Sequence, residues 1–253
     1  MHPILFKIGP ITIYTYGFLM AVAIISGIII ASYRGEKIGI KKDIIYDLSF
    51  YGILGGLIGA KLLYFIAEAK TIFKNPKEIL YMLTSGFVVY GALIGGVLTG
   101  YIYCKVKGIN FLKMFDLLAP SMAFAQGVGR LGCFFAGCCY GKPTDLPIGV
   151  VFKNSPFAPN GVKLIPTQLI SSIGNFIIFT ILILYSKKER KQGKVAALYM
   201  LLYSIGRFLI EFLRGDFRGN VGPFSTSQFI SIIVFLLSLL LLNYERLRGV
   251  RDS

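Results

Sequence analysis

Charged residues are scarce in this chain, and they are not spread as in a soluble protein. They make up 15% of the 253 residues, while hydrophobic residues make up 55%. A typical soluble domain has about 25% charged residues. The sequence also lacks a P-loop and a nucleophile elbow, so it offers neither of these common nucleotide or hydrolase signatures. The low charge excludes an ordinary soluble domain and directs attention to the apolar segments.

Four long segments carry no charged residue at all. A helix that crosses the hydrocarbon core of a bilayer needs about 20 apolar residues. Each of the four is long enough, and together they predict an all-α protein that crosses a membrane several times. The uncharged segments are Ile8–Tyr33, Ile79–Cys104, Leu164–Ser186 and Gly219–Tyr244.

The whole pattern predicts about seven transmembrane helices in a single polytopic membrane domain, residues 1–253. The longest segment between them, 137–165, contains four prolines, which break helices and favour rigid turns. We expect that segment to form an ordered external cap. The predicted spans are 14–33, 44–67, 82–104, 116–136, 166–186, 195–213 and 224–243.

The distribution of Lys and Arg predicts the orientation. The loops after spans one, three and five, with the C-terminus, hold fifteen basic residues, and the alternate set holds nine. Basic residues accumulate in cytoplasmic loops, so the N-terminus is predicted outside and the C-terminus in the cytoplasm. The net charge of +15 then reflects contact with anionic headgroups, and we predict no nucleic-acid partner.

Charges inside the predicted spans indicate a functional site, because a charge in lipid needs a partner or a task. Arg130 and Arg207 lie toward the outer ends of spans four and six, which predicts an outward-facing polar cavity with two guanidiniums. A guanidinium stays charged when desolvated and matches a phosphate. Glu211 is one helical turn after Arg207, so a purely structural ion pair is the alternative for Arg207. Lys61 is expected to reach the outer headgroups.

Three of the four cysteines are close together in the sequence. Cys133, Cys138 and Cys139 do not have C-x-x-C spacing, and the only histidine, His2, is far away. We therefore predict no metal site and no cofactor. A disulfide on an oxidising outer face and simple packing against glycine both remain open.

Several motifs in order along the chain resemble those of the prolipoprotein diacylglyceryl transferase family. Residues 129–134, Gly-Arg-Leu-Gly-Cys-Phe, are similar to the family's glycine-arginine-x-glycine-asparagine-phenylalanine signature. Residues 6–10 and 14–17 resemble the segment that leads into the family's first helix. Residues 86–95 resemble its third-helix motif, and residues 166–169 resemble the start of its fifth helix. The motif Tyr203-x3-Arg207-x3-Glu211-x2-Arg214 resembles its sixth helix.

The resemblance implies an enzyme of the bacterial plasma membrane. Such enzymes move a diacylglyceryl group from phosphatidylglycerol to the lipobox cysteine thiol of a preprolipoprotein and release glycerol phosphate. By this resemblance Arg130 and Arg207 are the expected catalytic residues that stabilise phosphate charge. Tyr90 stands where the family has a histidine proposed as base. The expected substrate-binding residues are Arg130, Tyr16, Tyr203, Glu211, Arg214 and Cys133.

The chain departs from the family pattern at several positions. The phenol of a tyrosine is a poor general base at neutral pH, which weakens the role of Tyr90. Cys133 replaces the signature asparagine and Cys138 replaces an acid, while Ile170 and Ser171 replace tyrosine and glutamate. Two alternatives therefore stay open: a phospholipid-dependent transferase with a different acceptor, and a non-catalytic lipid-binding or transport protein.

Overall fold

The computed structural model describes residues 2–69, 86–216 and 219–249. Within these ranges the protein is mostly helical, which confirms the predicted class, and it adds three short antiparallel strand pairs that the sequence did not predict. The helices are α1 (Thr15–Lys37), α2 (Lys42–Ala67), α3 (Val89–Val106), α4 (Phe111–Ala136), α5 (Thr167–Tyr185), α6 (Lys194–Glu211) and α7 (Thr226–Gly249). The strand pairs are β1 (Ile4–Ile8) with β2 (Ile11–Tyr14), β3 (Val150–Val151) with β4 (Lys163–Leu164), and β5 (Asn220–Val221) with β6 (Phe224–Ser225).

Five of these helices are long and apolar enough to cross a membrane: α1, α2, α3, α5 and α7. The protein is therefore a multi-pass membrane protein. Helices α4 and α6 do not meet the same criterion. They are the helices that contain Arg130 and Arg207. A charged side chain in a membrane helix normally faces protein or a cavity, so the lower apolarity of α4 and α6 fits helices that line a polar site.

Helix α3 begins later than the sequence predicted. The predicted span started at 82, but residues 82–85 lie outside the described residues, and the helix begins at Val89. Gly86 has a φ of +71°, and a Cβ built there would lie 2.2 Å from the ring of Tyr64. Only glycine fits this close approach. Val88, just before the helix, is extended, and its N–H donates to Ala60 O at 3.2 Å.

The chain divides into two compact units. One is Ser32–Met114, and the other combines Met1–Ala31 with Phe115–Ser253. The first contains α2 and α3, and the second contains the helices α5, α6 and α7 and most of α1 and α4. Organisation as a single membrane domain stays a prediction.

Helices α2 and α3 pack backbone against backbone through glycine. A Cβ built at Gly59 would lie 2.3 Å from Gly91 O, and one built at Gly91 would lie 2.3 Å from Gly59 O. A Cβ built at Gly95 would lie 2.2 Å from Gly55 O. Small residues allow this approach in lipid, where no hydrophobic force drives helices together. The four-residue glycine spacing in the sequence is thus used for packing in this pair.

We expect Gly59→Ala to destabilise the protein by about 1–3 kcal/mol, because the added methyl overlaps the backbone of α3. Gly52→Ala is the matched control on the same helix, since nothing lies within 4 Å of a Cβ built there. Thermal unfolding in detergent measures both variants. Equal unfolding midpoints for the two would contradict the packing described here.

Helices α4, α5 and α6 form the core of the larger unit. Its buried members include Ala119 and Ala123 of α4, Leu182 of α5 and Val195 of α6. Asp116 fixes the start of α6: its carboxylate accepts from the N–H of Gly193 at 2.6 Å and from that of Ala196 at 2.7 Å. The first N–H groups of a helix have no partner within it, so this carboxylate satisfies two of them and complements the helix dipole.

The segment 137–165 is ordered around its own small core. Phe152, Ala158 and Leu164 are buried together, and Phe134 and Tyr140 pack against them. Its main chain also pairs with the chain that follows α6, because the N–H of Lys142 donates to Leu213 O at 2.9 Å. The segment is therefore fixed to the end of α6. Its external position stays a prediction.

Candidate functional site

A cavity of about 280 Å³ lies between helices α4, α5 and α6. Arg130 and Arg207 both line it, so the structure brings together the two guanidiniums that the sequence singled out. The rest of the lining is mixed: polar side chains on one hand, and isoleucine and leucine side chains on the other. The remaining lining residues are Ile170, Ser171, Gly174, Asn175, Ile178, Tyr203, Gly206, Leu209, Ile210 and Leu213.

Arg130 lies in the penultimate turn of α4 and is half-buried. Among the described residues, none of the ion pairs joins it to a carboxylate. The groups that interact electrostatically with its guanidinium are Tyr203, Cys133, Cys139 and Arg214, and none of these is a carboxylate. A partly desolvated guanidinium without a carboxylate is costly unless an anion joins it. Arg130 is therefore suited to bind an anionic ligand.

Arg207 is held on two sides. Its Nη1 donates to Glu211 Oε2 at 2.5 Å, and its Nη2 donates to Ser227 Oγ at 2.6 Å. The side chains of Arg207 and Glu211 are only 12% and 7% exposed. The ion pair that the sequence suggested is thus present. It leaves Arg207 lining the cavity, so pairing and ligand binding are compatible for this residue.

The start of α7 positions Ser227 for that contact. Ser225 and Gln228 form a capping box: the Gln228 N–H donates to Ser225 Oγ at 3.2 Å, and the Ser225 N–H donates to Gln228 Oε1 at 3.1 Å. This reciprocal pair is a common helix start signal. It fixes the first turn of α7 and, with it, the hydroxyl that bonds Arg207.

Arg214 follows α6 and is buried, with its side chain 4% exposed. Its Nε and Nη2 both bond Asp216, at 2.9 and 2.6 Å, and its Nε lies 4.0 Å from Glu211 Oε2. Burial lowers the pKa of Arg214, but the hydrogen bond to Asp216 and the neighbouring Cys139 outweigh it and raise the pKa. Glu211 lies between the guanidiniums of Arg207 and Arg214 and positions both, although it does not itself line the cavity.

The thiols of Cys133, Cys138 and Cys139 converge, with their Sγ atoms within 4.8 Å of one another. All four cysteines lie in the described ranges, and no disulfide joins them there. Hydrogen bonds with Cys133 and Cys139, and then burial, raise the pKa of Cys138. The hydroxyl of Tyr16 is within electrostatic reach of all three thiols. Cys133 thus belongs to a cluster of three thiols beside Arg130, and Tyr16 lies next to that cluster. Neither Cys133 nor Tyr16 lines the cavity.

Tyr90 lies in the first turn of α3 and is half-buried. It belongs to the unit Ser32–Met114, whereas Arg130, Arg207 and Tyr203 belong to the other unit. Its role as base therefore stays a prediction.

Sequence reasoning missed Asn175 as a lining residue. It lies one turn after Ser171 on α5, and its Nδ2 donates to Ser171 O at 2.8 Å. Its Oδ1 is buried and has no hydrogen-bond partner among the described residues. Buried polar atoms are nearly always paired, so this oxygen is available to a donor on a ligand. The signal that could have found it is the departure from the family pattern at Ile170 and Ser171, because both also line the cavity.

Comparison with known proteins gives a consistent result over the whole chain. A family model described as prolipoprotein diacylglyceryl transferase matches residues 3–244. The phosphatidylglycerol–prolipoprotein diacylglyceryl transferase of Clostridium tetani is 50% identical over 248 residues, which cover 98% of this chain and 99% of the relative. The second such transferase of Clostridium perfringens is 42% identical over 254 residues, covering 100% and 99%. That of Staphylococcus aureus strain MSSA476 is 35% identical over 256 residues, covering 98% and 90%.

Proposed function

The chain belongs to the prolipoprotein diacylglyceryl transferase family, and on that premise we propose that it moves a diacylglyceryl group from phosphatidylglycerol to the lipobox cysteine thiol of a preprolipoprotein, releasing glycerol phosphate. The observation that carries the proposal is Arg130, which lines a cavity beside Arg207 and has no carboxylate partner among the described residues. A phospholipid phosphate supplies the missing anion.

The cavity suits an amphipathic donor. Guanidiniums form strong, directional hydrogen bonds with phosphate oxygens. The unpaired Asn175 Oδ1 can accept from a hydroxyl of the glycerol headgroup. Leu209, Ile210 and Leu213 give the same cavity an apolar side for the glyceryl and acyl carbons. Tyr203 is proposed to help orient the phosphate, since it lines the cavity and acts on the charge of Arg130.

In the proposed reaction the acceptor sulfur, as thiolate, attacks the glyceryl carbon that bears the phosphate oxygen. A carbon–sulfur bond forms, the carbon–oxygen bond breaks, and the electron pair of that bond stays on glycerol phosphate. Arg130 and Arg207 stabilise the negative charge that develops there, and such fixed charges act strongest in a water-poor site. Glu211 and Arg214 hold Arg207 and the end of α6 in place. Tyr90 remains the proposed acceptor of the thiol proton.

For the membrane we propose seven spans, with the N-terminus outside, the C-terminus in the cytoplasm and the segment 137–165 as an external cap on the bacterial plasma membrane. Within the larger unit, Tyr16 and Ser227 lie in the first turns of α1 and α7, whereas Arg130 and Arg207 lie near the C-terminal ends of α4 and α6. Antiparallel neighbours would bring these ends to one membrane surface, where a peptide that has already crossed can reach them.

The test is a mass assay with purified protein, phosphatidylglycerol and a lipobox peptide. We expect a diacylglyceryl mass gain on the cysteine peptide and none on the same peptide with Cys→Ser. The Clostridium tetani relative serves as the positive control. No gain from this protein, with the relative active, would overturn the proposal. Lipid binding without transfer would then favour the non-catalytic alternative, and transfer to a different acceptor the other enzyme.

A further inference from the structure

We propose that Cys133, Cys138 and Cys139 bind one zinc ion as thiolates and leave its fourth coordination position open to an external thiol. The first part is independent of the proposed reaction. The second part rests on the proposed function, because it names the lipobox cysteine as the fourth ligand. Zinc bound to three protein ligands with an open position is the usual arrangement of a reactive zinc site.

The sulfur positions fit one ion. The three Sγ atoms lie within 4.8 Å of one another. Zinc–sulfur bonds of about 2.3 Å in a tetrahedron place neighbouring sulfurs about 3.8 Å apart. The thiols therefore need to approach by at most about 1 Å, which side-chain rotation can supply. Thiolate ligands select soft or borderline ions such as zinc over magnesium or calcium.

The backbone around the thiols is built to bring them together. Gly137, with a φ of +74°, ends α4, and Cys139 itself has a φ of +62°. A non-glycine residue in the left-handed region is strained unless its surroundings hold it. The start of α5 supplies that hold: Thr167 Oγ1 donates to Cys139 O and Gln168 Nε2 to Cys138 O, both at 2.7 Å.

This turn explains why spacing alone predicted no metal site. Zinc spacing rules assume that two ligands follow one another on a single tight turn. Here Cys133 is on α4, and the left-handed turn folds Cys138 and Cys139 back toward it, with the Cys138 N–H donating to Cys133 O at 3.1 Å. The three thiols are brought together by the conformation of this turn, which the sequence spacing of the cysteines does not reveal.

The charges around the cluster balance such a site. Three thiolates and one zinc ion carry a net charge of −1. Arg214 bonds the Cys139 thiol, and Arg130 acts electrostatically on Cys133 and Cys139. Two guanidiniums thus lie beside the cluster and offset the negative charge of such a site. All three cysteines are partly exposed, so an ion there remains accessible to a fourth ligand.

An open fourth position gives the acceptor thiol a route to ionisation. An acceptor thiol that binds the zinc would release its proton to water, because coordination deprotonates a thiol. The cluster shares Arg130 with the cavity that we assign to the donor phosphate. A zinc-bound acceptor sulfur would therefore sit beside the phosphate-binding residue. It would also reduce the demand on Tyr90, whose phenol is a weak base.

Zinc content tests the first part. We expect protein purified with a reductant and supplied with zinc to hold about one ion per chain by elemental analysis, and Cys138→Ser or Cys139→Ser to lose most of it. Cys104→Ala is the matched control, because Cys104 is buried on α3 outside the cluster. Thermal unfolding verifies that the serine variants are folded. Wild-type protein without zinc, or equal loss in Cys104→Ala, would overturn the site.

Cobalt substitution tests the open position without any measurement of turnover. Cobalt(II) bound to thiolates gives sulfur-to-metal charge-transfer absorption. We expect that absorption to increase when a lipobox peptide is added and to stay constant with its Cys→Ser form. No increase with the cysteine peptide would overturn the fourth-ligand assignment. The mass assay for transfer is separate, so failure of the site and failure of the proposed reaction give different results.

Discussion

Arg130→Ala is expected to lower diacylglyceryl transfer by at least about 100-fold, the usual loss when one preorganised donor to a developing negative charge is removed. Arg130 lines the cavity and has no carboxylate partner among the described residues, so its removal leaves no buried acid without a cation. We therefore expect the variant to fold. Transfer is measured by the peptide mass assay, and folding by thermal unfolding in detergent.

Two further variants make this result specific. Arg130→Lys keeps the charge but loses the planar fork, so we expect activity between those of the wild type and the alanine variant. Arg190→Ala is the control, since Arg190 is exposed in the segment between α5 and α6, where it bonds Tyr185 O and lies over the Tyr185 ring, and it does not line the cavity. Folded Arg130→Ala protein with more than half of the wild-type activity would refute a phosphate-binding role.

Replacing Arg207 and Glu211 together is expected to restore the stability that either single replacement loses, without restoring activity. Arg207→Met leaves Glu211 with Arg214, 4.0 Å away, as its one ion-pair partner in the described part of the chain, and Glu211→Leu leaves Arg207 without its carboxylate. Breaking a buried pair by removing one partner costs about 3–5 kcal/mol, whereas replacing both with apolar residues is often nearly neutral. The double variant should thus regain most of the lost stability.

Activity should not return with stability, because the double variant still lacks the second guanidinium of the cavity. We expect transfer to stay at least about 100-fold below wild type. The four proteins form a double-mutant cycle, read by thermal unfolding and by the mass assay. A double variant that recovers both stability and activity would show that Arg207 is only a structural partner of Glu211.

The helices could be predicted from the sequence because their signal is local. Uncharged segments of about 20 residues are read directly, and each predicted span has a helix in the structure. The start of α3 could not be read in this way. Phe87 and Val88 are as apolar as a helix requires, whereas the left-handed backbone of Gly86 against the ring of Tyr64 is visible only in the fold.

The candidate site was predictable in its charges but not in its neutral groups. Arg130 and Arg207 stood out because charges are rare in membrane helices. Asn175 did not, since an amide in a helix has many ordinary uses. Its importance follows from one atom, the unpaired Oδ1, and from the face of α5 that lines the cavity. Such facts depend on which helices pack together, and that is a long-range property.

The division of the chain into two units has a consequence for biosynthesis. Unit Ser32–Met114 is continuous, so α2 and α3 can pair as soon as both have left the ribosome. The other unit is interrupted, because α1 is made first and its packing partner on α4 emerges only after the whole of Ser32–Met114. Gly27 of α1 lies against Ala125 of α4 in the folded protein, so this contact can form only after the intervening unit has been synthesised.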